Sequence, residues 1–156
     1  MRHLVLVGVL VMGLGLVATP AQAQDNNFVG VSGVDIVVEA LSDNAAKCNV
    51  TDGGLDAATR LPLDASRLRI IPDASPYVYV RVTALWEPSG CAAFVAVSLI
   101  RRLAIPGTTQ LVYGSVWDTG TILTGPSSDF GQRVNQNVTD FTKRLIAEWI
   151  KANPRQ

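Results

Sequence analysis

The chain has 156 residues, and its 13 Lys+Arg and 13 Asp+Glu give a formal net charge of zero. This length suits one small domain and makes two independent hydrophobic cores unnecessary. Only 17% of the residues are charged while 48% are hydrophobic, which excludes a disordered acidic chain and a basic protein that coats nucleic acid.

The first 23 residues have the pattern of a secretory signal peptide. Arg2 and His3 give a short cationic start, and residues 4–17 form an uninterrupted apolar run. Ala21-Gln22-Ala23 then supplies the small-x-small motif of a cleavage site. The run is shorter than the roughly 20 residues of a membrane span. We therefore expect export to the periplasm or the medium, with residues 24–156 as a single domain; an uncleaved N-terminal anchor is the alternative.

Removal of residues 1–23 changes the chemistry open to the protein. It leaves 133 residues (156 minus 23) with 12 Lys+Arg against 13 Asp+Glu, and it removes His3, the only histidine. Without histidine the mature chain lacks Ser-His-Asp, Cys-His and histidine–metal sites. The sequence also has no calcium-loop, zinc-ligand or phosphate-loop motif. We expect no cofactor, no metal, no nucleic-acid partner and no stable membrane span after cleavage.

The mature chain begins with a predicted strand and a predicted helix. Residues 29–41 are rich in β-branched residues and alternate in polarity. Thr51 or Asp52 is the candidate N-cap of a helix whose body starts near Leu55. Pro62 removes a backbone donor inside this helix, so we expect a kink or a split there. The buried stripe of the helix is expected to contain Leu55, Ala58, Leu61 and Leu68.

Three strands and a long helix follow. Residues 77–86, 91–103 and 110–117 read as strands separated by short turns, which favour an antiparallel meander. The helix is capped by Ser128 or Asp129 and stopped by Pro154. Its apolar stripe is Phe130, Val134, Val138, Phe141, Leu145 and Trp149. The β-α-β-β-β-α order predicts an α+β two-layer sandwich: a four-stranded, mostly antiparallel sheet with two helices on one face.

Cys48 and Cys91 are expected to form a disulfide. If the first two strands are parallel and joined by the helix, both end at the same edge of the sandwich. Cys48 follows the first strand at that edge, and the chain turns there just before Cys91. Two cysteines in an exported domain favour pairing. Two free thiols are the alternative.

The sheet face opposite the helices is the candidate interaction surface. Alternate residues of the second strand direct Tyr77, Tyr79 and Arg81 away from the valines that face the helices. This second face is more apolar than a solvated sheet requires, which favours a dimer or another partner. Trp86 and Trp117 end strands beside turns, where tryptophan either packs at the core edge or anchors an interface. The candidate surface comprises Tyr77, Tyr79, Arg81, Trp86 and Trp117.

Several segments carry a resemblance to other proteins: Cys48 ahead of the first helix, Pro76–Val82, Gly90-Cys91, Val116–Gly120 and Phe141–Pro154. On these segments the chain resembles a group of small, uncharacterised exported bacterial proteins. The resemblance covers most of the chain from Cys48 onward, and its motifs are structural, so it carries over no catalytic residue.

These observations favour a non-enzymatic exported protein of the bacterial cell envelope that acts through protein–protein interaction. The partner is either an envelope protein or a second copy of the chain. A periplasmic carrier of an apolar ligand is one alternative, which a large cavity between sheet and helices would favour. A hydrolase without histidine is the other, which a serine and an aspartate converging on Lys47, Lys143 or Lys151 would favour.

Overall fold

The structure, a computed structural model, describes residues 27–154, so the predicted signal peptide (residues 1–23) lies outside the described residues. Within this part of the chain, one sheet packs against three helices. The elements are β1 (Gly33–Val38), α1 (Asp43–Lys47), α2 (Asp52–Asp64), β2 (Arg69–Ile70), β3 (Tyr77–Glu87), β4 (Gly90–Ala104), β5 (Leu111–Gly125) and α3 (Ser127–Ala152).

The sheet has five strands in the order β2-β1-β3-β4-β5. β1 runs parallel to both β2 and β3, whereas β3, β4 and β5 form an antiparallel meander. The predicted α+β class is confirmed, but the prediction of four strands and two helices is wrong. The missed elements, β2 with two residues and α1 with five, are too short for a periodic pattern to reveal them.

The core lies between the sheet and the helices. In β3 the burial alternates, with Val78, Val80 and Val82 buried and the intervening side chains half-buried or exposed. All six residues of the predicted stripe of α3 are buried against this side of the sheet. Burying side chains of this size stabilises the fold by about 1.5–3 kcal/mol each.

α2 begins at the predicted cap, where Thr51 Oγ1 accepts a hydrogen bond from the backbone N–H of Gly54 at 3.1 Å. Leu55 and Ala58 are buried as predicted. Leu61 is 69% exposed, so its assignment to the stripe is wrong. It lies six positions after Leu55, whereas the buried face of a helix continues at the seventh and eighth positions.

Pro62 does not split α2, because the helix continues through it to Asp64. Leu63, eight positions after Leu55, takes the buried place that the sequence assigned to Leu61. Leu68 is buried as predicted, but it lies beyond the end of the helix.

The Cys48–Cys91 disulfide is present, with the two Cα atoms 5.9 Å apart. β1 and β3 are parallel, so both strands end at the same edge of the sheet, as the sequence argument requires. Cys48 is the C-cap of α1, and Cys91 lies just beyond the tight turn between β3 and β4. Both cysteines are buried, so the bond joins the first crossover to the meander inside the core.

Candidate functional site

The face of the sheet opposite the helices carries most of the predicted site. Within residues 27–154, the helices pack on the side of the buried valines of β3, and the side chains on the other side are mostly exposed or half-buried. Tyr77, Tyr79 and Arg81 lie on this open side, as strand alternation predicts. Three of the five predicted residues therefore share one surface.

All three tyrosines of the chain lie on this surface. The ring of Tyr77 is 6.5 Å from that of Tyr79 and 6.0 Å from that of Tyr113, measured between centroids. Both arrangements are tilted or edge-on, which aromatic quadrupoles favour. The tyrosines come from β3 and β5 and meet across β4, so the sheet register brings them together.

Tyr113 was not among the predicted residues because a β-bulge decides its side. Trp117 faces the helices, and simple alternation would place Tyr113, four residues earlier in β5, on the same side. An irregularity opposite Leu99 and Ile100 inserts one extra residue into β5, which switches the following side chains to the other face. Tyr113 then pairs with Arg102 and joins the tyrosine cluster.

Two arginines stack on the rings of this surface. The Arg81 guanidinium lies 5.3 Å from the ring centre of Phe94. That of Arg102 lies 5.6 Å from the ring of Tyr113, and its Nε donates a hydrogen bond to the Tyr113 hydroxyl at 3.1 Å. Cation–π contacts at exposed sites contribute about 0.5–1 kcal/mol each. We call this surface the aromatic face: Tyr77, Tyr79, Arg81, Phe94, Arg102 and Tyr113.

Glu39 modifies one of these tyrosines. Burial of Tyr79, followed by the negative charge of Glu39, raises the pKa of the Tyr79 hydroxyl above its ordinary value of 10.0. Glu39 Oε2 is itself buried and has no hydrogen-bond partner among the described residues. Tyr79 therefore stays protonated at neutral pH and can donate a hydrogen bond.

The two predicted tryptophans lie elsewhere. Trp117 is only 8% exposed, and its ring packs edge-on against Phe28 at 6.4 Å on the helix side of the sheet. Trp86 is 39% exposed, but it pairs with Cys91 at the helix-side end of β3, and Lys47 Nζ lies 5.1 Å from its ring centre. Trp117 thus follows the core-edge alternative, and neither tryptophan belongs to the aromatic face.

An apolar strip continues the aromatic face toward the other end of the strands. Leu85 is 63% exposed and Ile122 is 73% exposed. Together with Thr83, Ala92 and Phe94 they line a shallow concavity of about 280 Å³. A second concavity of about 350 Å³ extends from Phe94 over Tyr79 and Arg81.

The lysines do not assemble a hydrolase site with the serines. Lys143 Nζ lies 3.9 Å from Asp140, and Lys151 Nζ lies 2.8 Å from Glu148, both on the surface of α3. Lys47 lies over the Trp86 ring. Within residues 27–154, no group of three or more His, Cys, Asp or Glu side chains is arranged to hold a metal ion. The aromatic face offers rings and hydrogen-bond donors, a chemistry of binding.

No protein-family model matches the chain, and no curated protein matches it either. Of the helices between residues 27 and 154, none is long and apolar enough to cross a membrane. The resemblance to small exported proteins therefore stays a prediction from the sequence.

Proposed function

We propose that this is a non-enzymatic exported protein of the bacterial cell envelope that acts through protein–protein interaction, with the aromatic face as its binding surface. The observation that carries the proposal is the concentration of every tyrosine of the chain and two stacked arginines on one sheet face. Tyrosine and arginine are among the residues that dominate binding energy at protein interfaces.

The packing of the aromatic face supports this role. Its rings are already held against one another or under an arginine. Side chains that are ordered before binding lose less conformational entropy when a partner covers them. The guanidinium N–H groups and the tyrosine hydroxyls remain available to hydrogen-bond carbonyl and carboxylate groups of the partner.

Export is supported by the buried disulfide and by the signal-peptide pattern of residues 1–23. Disulfides persist in the periplasm and outside the cell, where the environment is oxidising, and are rare in the cytosol. A location in the periplasm or the medium is therefore part of the proposal.

The carrier alternative has less support. An apolar ligand would have to lie between the sheet and the helices, and fully buried side chains such as Leu55, Leu99 and Leu145 occupy that layer. The concavities described above lie on the open side of the sheet.

Site-specific photo-crosslinking in the living bacterium tests the proposal. A photoreactive residue replaces Tyr113, which is 57% exposed, and in a second strain it replaces Arg81. The control position is Arg60, which is exposed on α2 and pairs with Asp56. We expect discrete adducts from positions 113 and 81, identified by mass spectrometry, and none from position 60. Equal labelling at all three positions, or none at the aromatic face, would contradict the proposal.

A further inference from the structure

The outer edge of β5 is open between two bonded carbonyl groups. β5 is the last strand of the sheet. At one end Asn27 Nδ2 donates to the Val116 carbonyl at 2.7 Å. At the other end Arg133 Nη1 donates to the Thr124 carbonyl at 3.0 Å. Between these two contacts, no group from residues 27–154 bonds to the outer edge.

Strand geometry identifies the open backbone groups. In an antiparallel sheet, alternate residues direct both N–H and C=O toward the same neighbour. The Thr124 carbonyl points outward, since Arg133 reaches it from outside the sheet. The same two-residue period directs the N–H and C=O groups of Asp118, Gly120 and Ile122 away from β4.

This edge lacks the features that protect edge strands from pairing. Proteins usually shorten such strands, interrupt them with a bulge, or place lysine or proline on them. Residues 117–123 contain neither lysine nor proline, and the bulge of β5 lies before them. The opposite edge of the sheet, in contrast, is formed by the two-residue β2.

We propose that the occupant of this edge is a second copy of the chain, paired β5 to β5 in antiparallel fashion about a two-fold axis at Thr121. Backbone pairing of the outward residues allows the axis to pass through either Gly120 or Thr121. An axis at Gly120 places the exposed Ile122 opposite the Asp118 carboxylate. An axis at Thr121 instead places each Ile122 opposite the partner's Gly120.

The second register is self-complementary in shape. Gly120 has no side chain, and Phe94 Cζ lies 3.1 Å from the position that its Cβ would take. Ile122 of one copy therefore meets the Phe94 ring of the other across Gly120. Pairing covers two apolar residues on each copy that are 73% and 37% exposed in the single chain. The two Gly120–Ile122 pairs also supply four main-chain hydrogen bonds.

A two-fold axis perpendicular to the sheet keeps both helix layers on the same side. Five strands from each copy then form one continuous sheet, and the two aromatic faces become parts of a single surface. The dimer follows from the β5 edge alone and stands whether or not the aromatic face binds a protein partner.

Cysteine crosslinking tests the register. Residues directly opposite each other at a non-hydrogen-bonded position have closely spaced side chains, so Thr121→Cys should form a disulfide to itself across the axis. The control is Thr109→Cys in the exposed tip between β4 and β5. We expect mild oxidation to double the mass of the Thr121→Cys chain on a non-reducing gel and to leave the control a monomer. No crosslink at position 121, or equal crosslinking at 109, overturns the proposal.

Light scattering across a concentration series tests the edge itself. The wild-type chain is expected to have twice the mass of a monomer. Ile122→Pro removes an N–H that points away from β4, which edge strands tolerate, so the variant should fold and run as a monomer. The matched control, Ile122→Val, keeps the N–H and should remain a dimer. A monomeric wild-type chain, or a dimer that survives Ile122→Pro with an unchanged circular dichroism spectrum, overturns the proposal.

Discussion

At the scale of single residues, Pro62 shows how one side chain compensates for a missing backbone donor. A proline in a helix cannot donate to the carbonyl four residues earlier, and for Pro62 that carbonyl belongs to Ala58. Thr139 of α3 donates its hydroxyl to the Ala58 carbonyl at 3.2 Å. The bond replaces the missing helix contact and also joins α2 to α3, which explains why α2 runs through the proline.

Thr139→Val should therefore destabilise the fold by about 1–3 kcal/mol, because the Ala58 carbonyl loses its donor where water has little access. Thr139→Ser, which keeps the hydroxyl, is the control. In a Pro62→Ala background, residue 62 regains its N–H, and the cost of Thr139→Val should shrink. The free energy of unfolding from chemical denaturation measures all of these variants. Equal costs in both backgrounds would show that the hydroxyl has no such role.

At the scale of elements, α3 approaches the loop after Cys48 so closely that only glycine fits. A Cβ on Gly131 would overlap the backbone carbonyl of Asn49. Asn49 has a positive φ of 58°, and its Nδ2 donates to the Ser127 carbonyl at 2.8 Å. The first turn of α3 is thus attached to the segment that carries the disulfide.

Gly131→Ala should destabilise the protein by about 1–3 kcal/mol, since a backbone carbonyl has to move to accept the methyl group. Gly53→Ala in α2 is the matched control, because nothing lies within 4 Å of a Cβ at that position. There the better helix propensity of alanine should stabilise the fold by up to about 1 kcal/mol. Thermal unfolding of the two variants is the measurement. Shifts of the same sign would refute the proposed close approach.

The elements that sequence reasoning could predict are those with a long, regular pattern. The alternation in β3 and the stripe of α3 each extend over several repeats, so their buried faces follow from local geometry. β2 is too short to carry a pattern, and it forms only because β1 offers it an edge. The same limit explains Leu61, which has the right hydrophobicity but lies off the face that packing selects.

The candidate site follows the same rule. Tyr77, Tyr79 and Arg81 belong to one strand and were assigned to one face by alternation. Tyr113 joins them only because a bulge in β5 changes the side on which it lies, and a bulge depends on the register with β4. Trp117 keeps the opposite side and is buried. Contacts between strands therefore could not be predicted from the pattern of either strand alone.

At the scale of the whole molecule, the Cys48–Cys91 bond connects the parallel part of the sheet to the meander. The two cysteines are 43 positions apart in the chain. The loop that they close contains α2, β2 and β3, so the bond restricts the unfolded state over the segment whose folding depends most on distant contacts. In the chain-entropy model, closing a loop of this length stabilises the folded state by about 4 kcal/mol.

The double variant Cys48→Ala/Cys91→Ala should therefore unfold about 4 kcal/mol more easily, a large part of the roughly 5–15 kcal/mol typical of a domain. Because the unfolded chain gains the freedom that is lost on crosslinking, the wild-type protein in reductant should fall to nearly the same stability. Denaturation of both proteins, with and without reductant, measures the effect, and the double variant should be insensitive to reductant. Alkylation of the non-reduced wild-type protein, followed by mass spectrometry, provides the independent check. Two modified thiols there would show that the bond does not form.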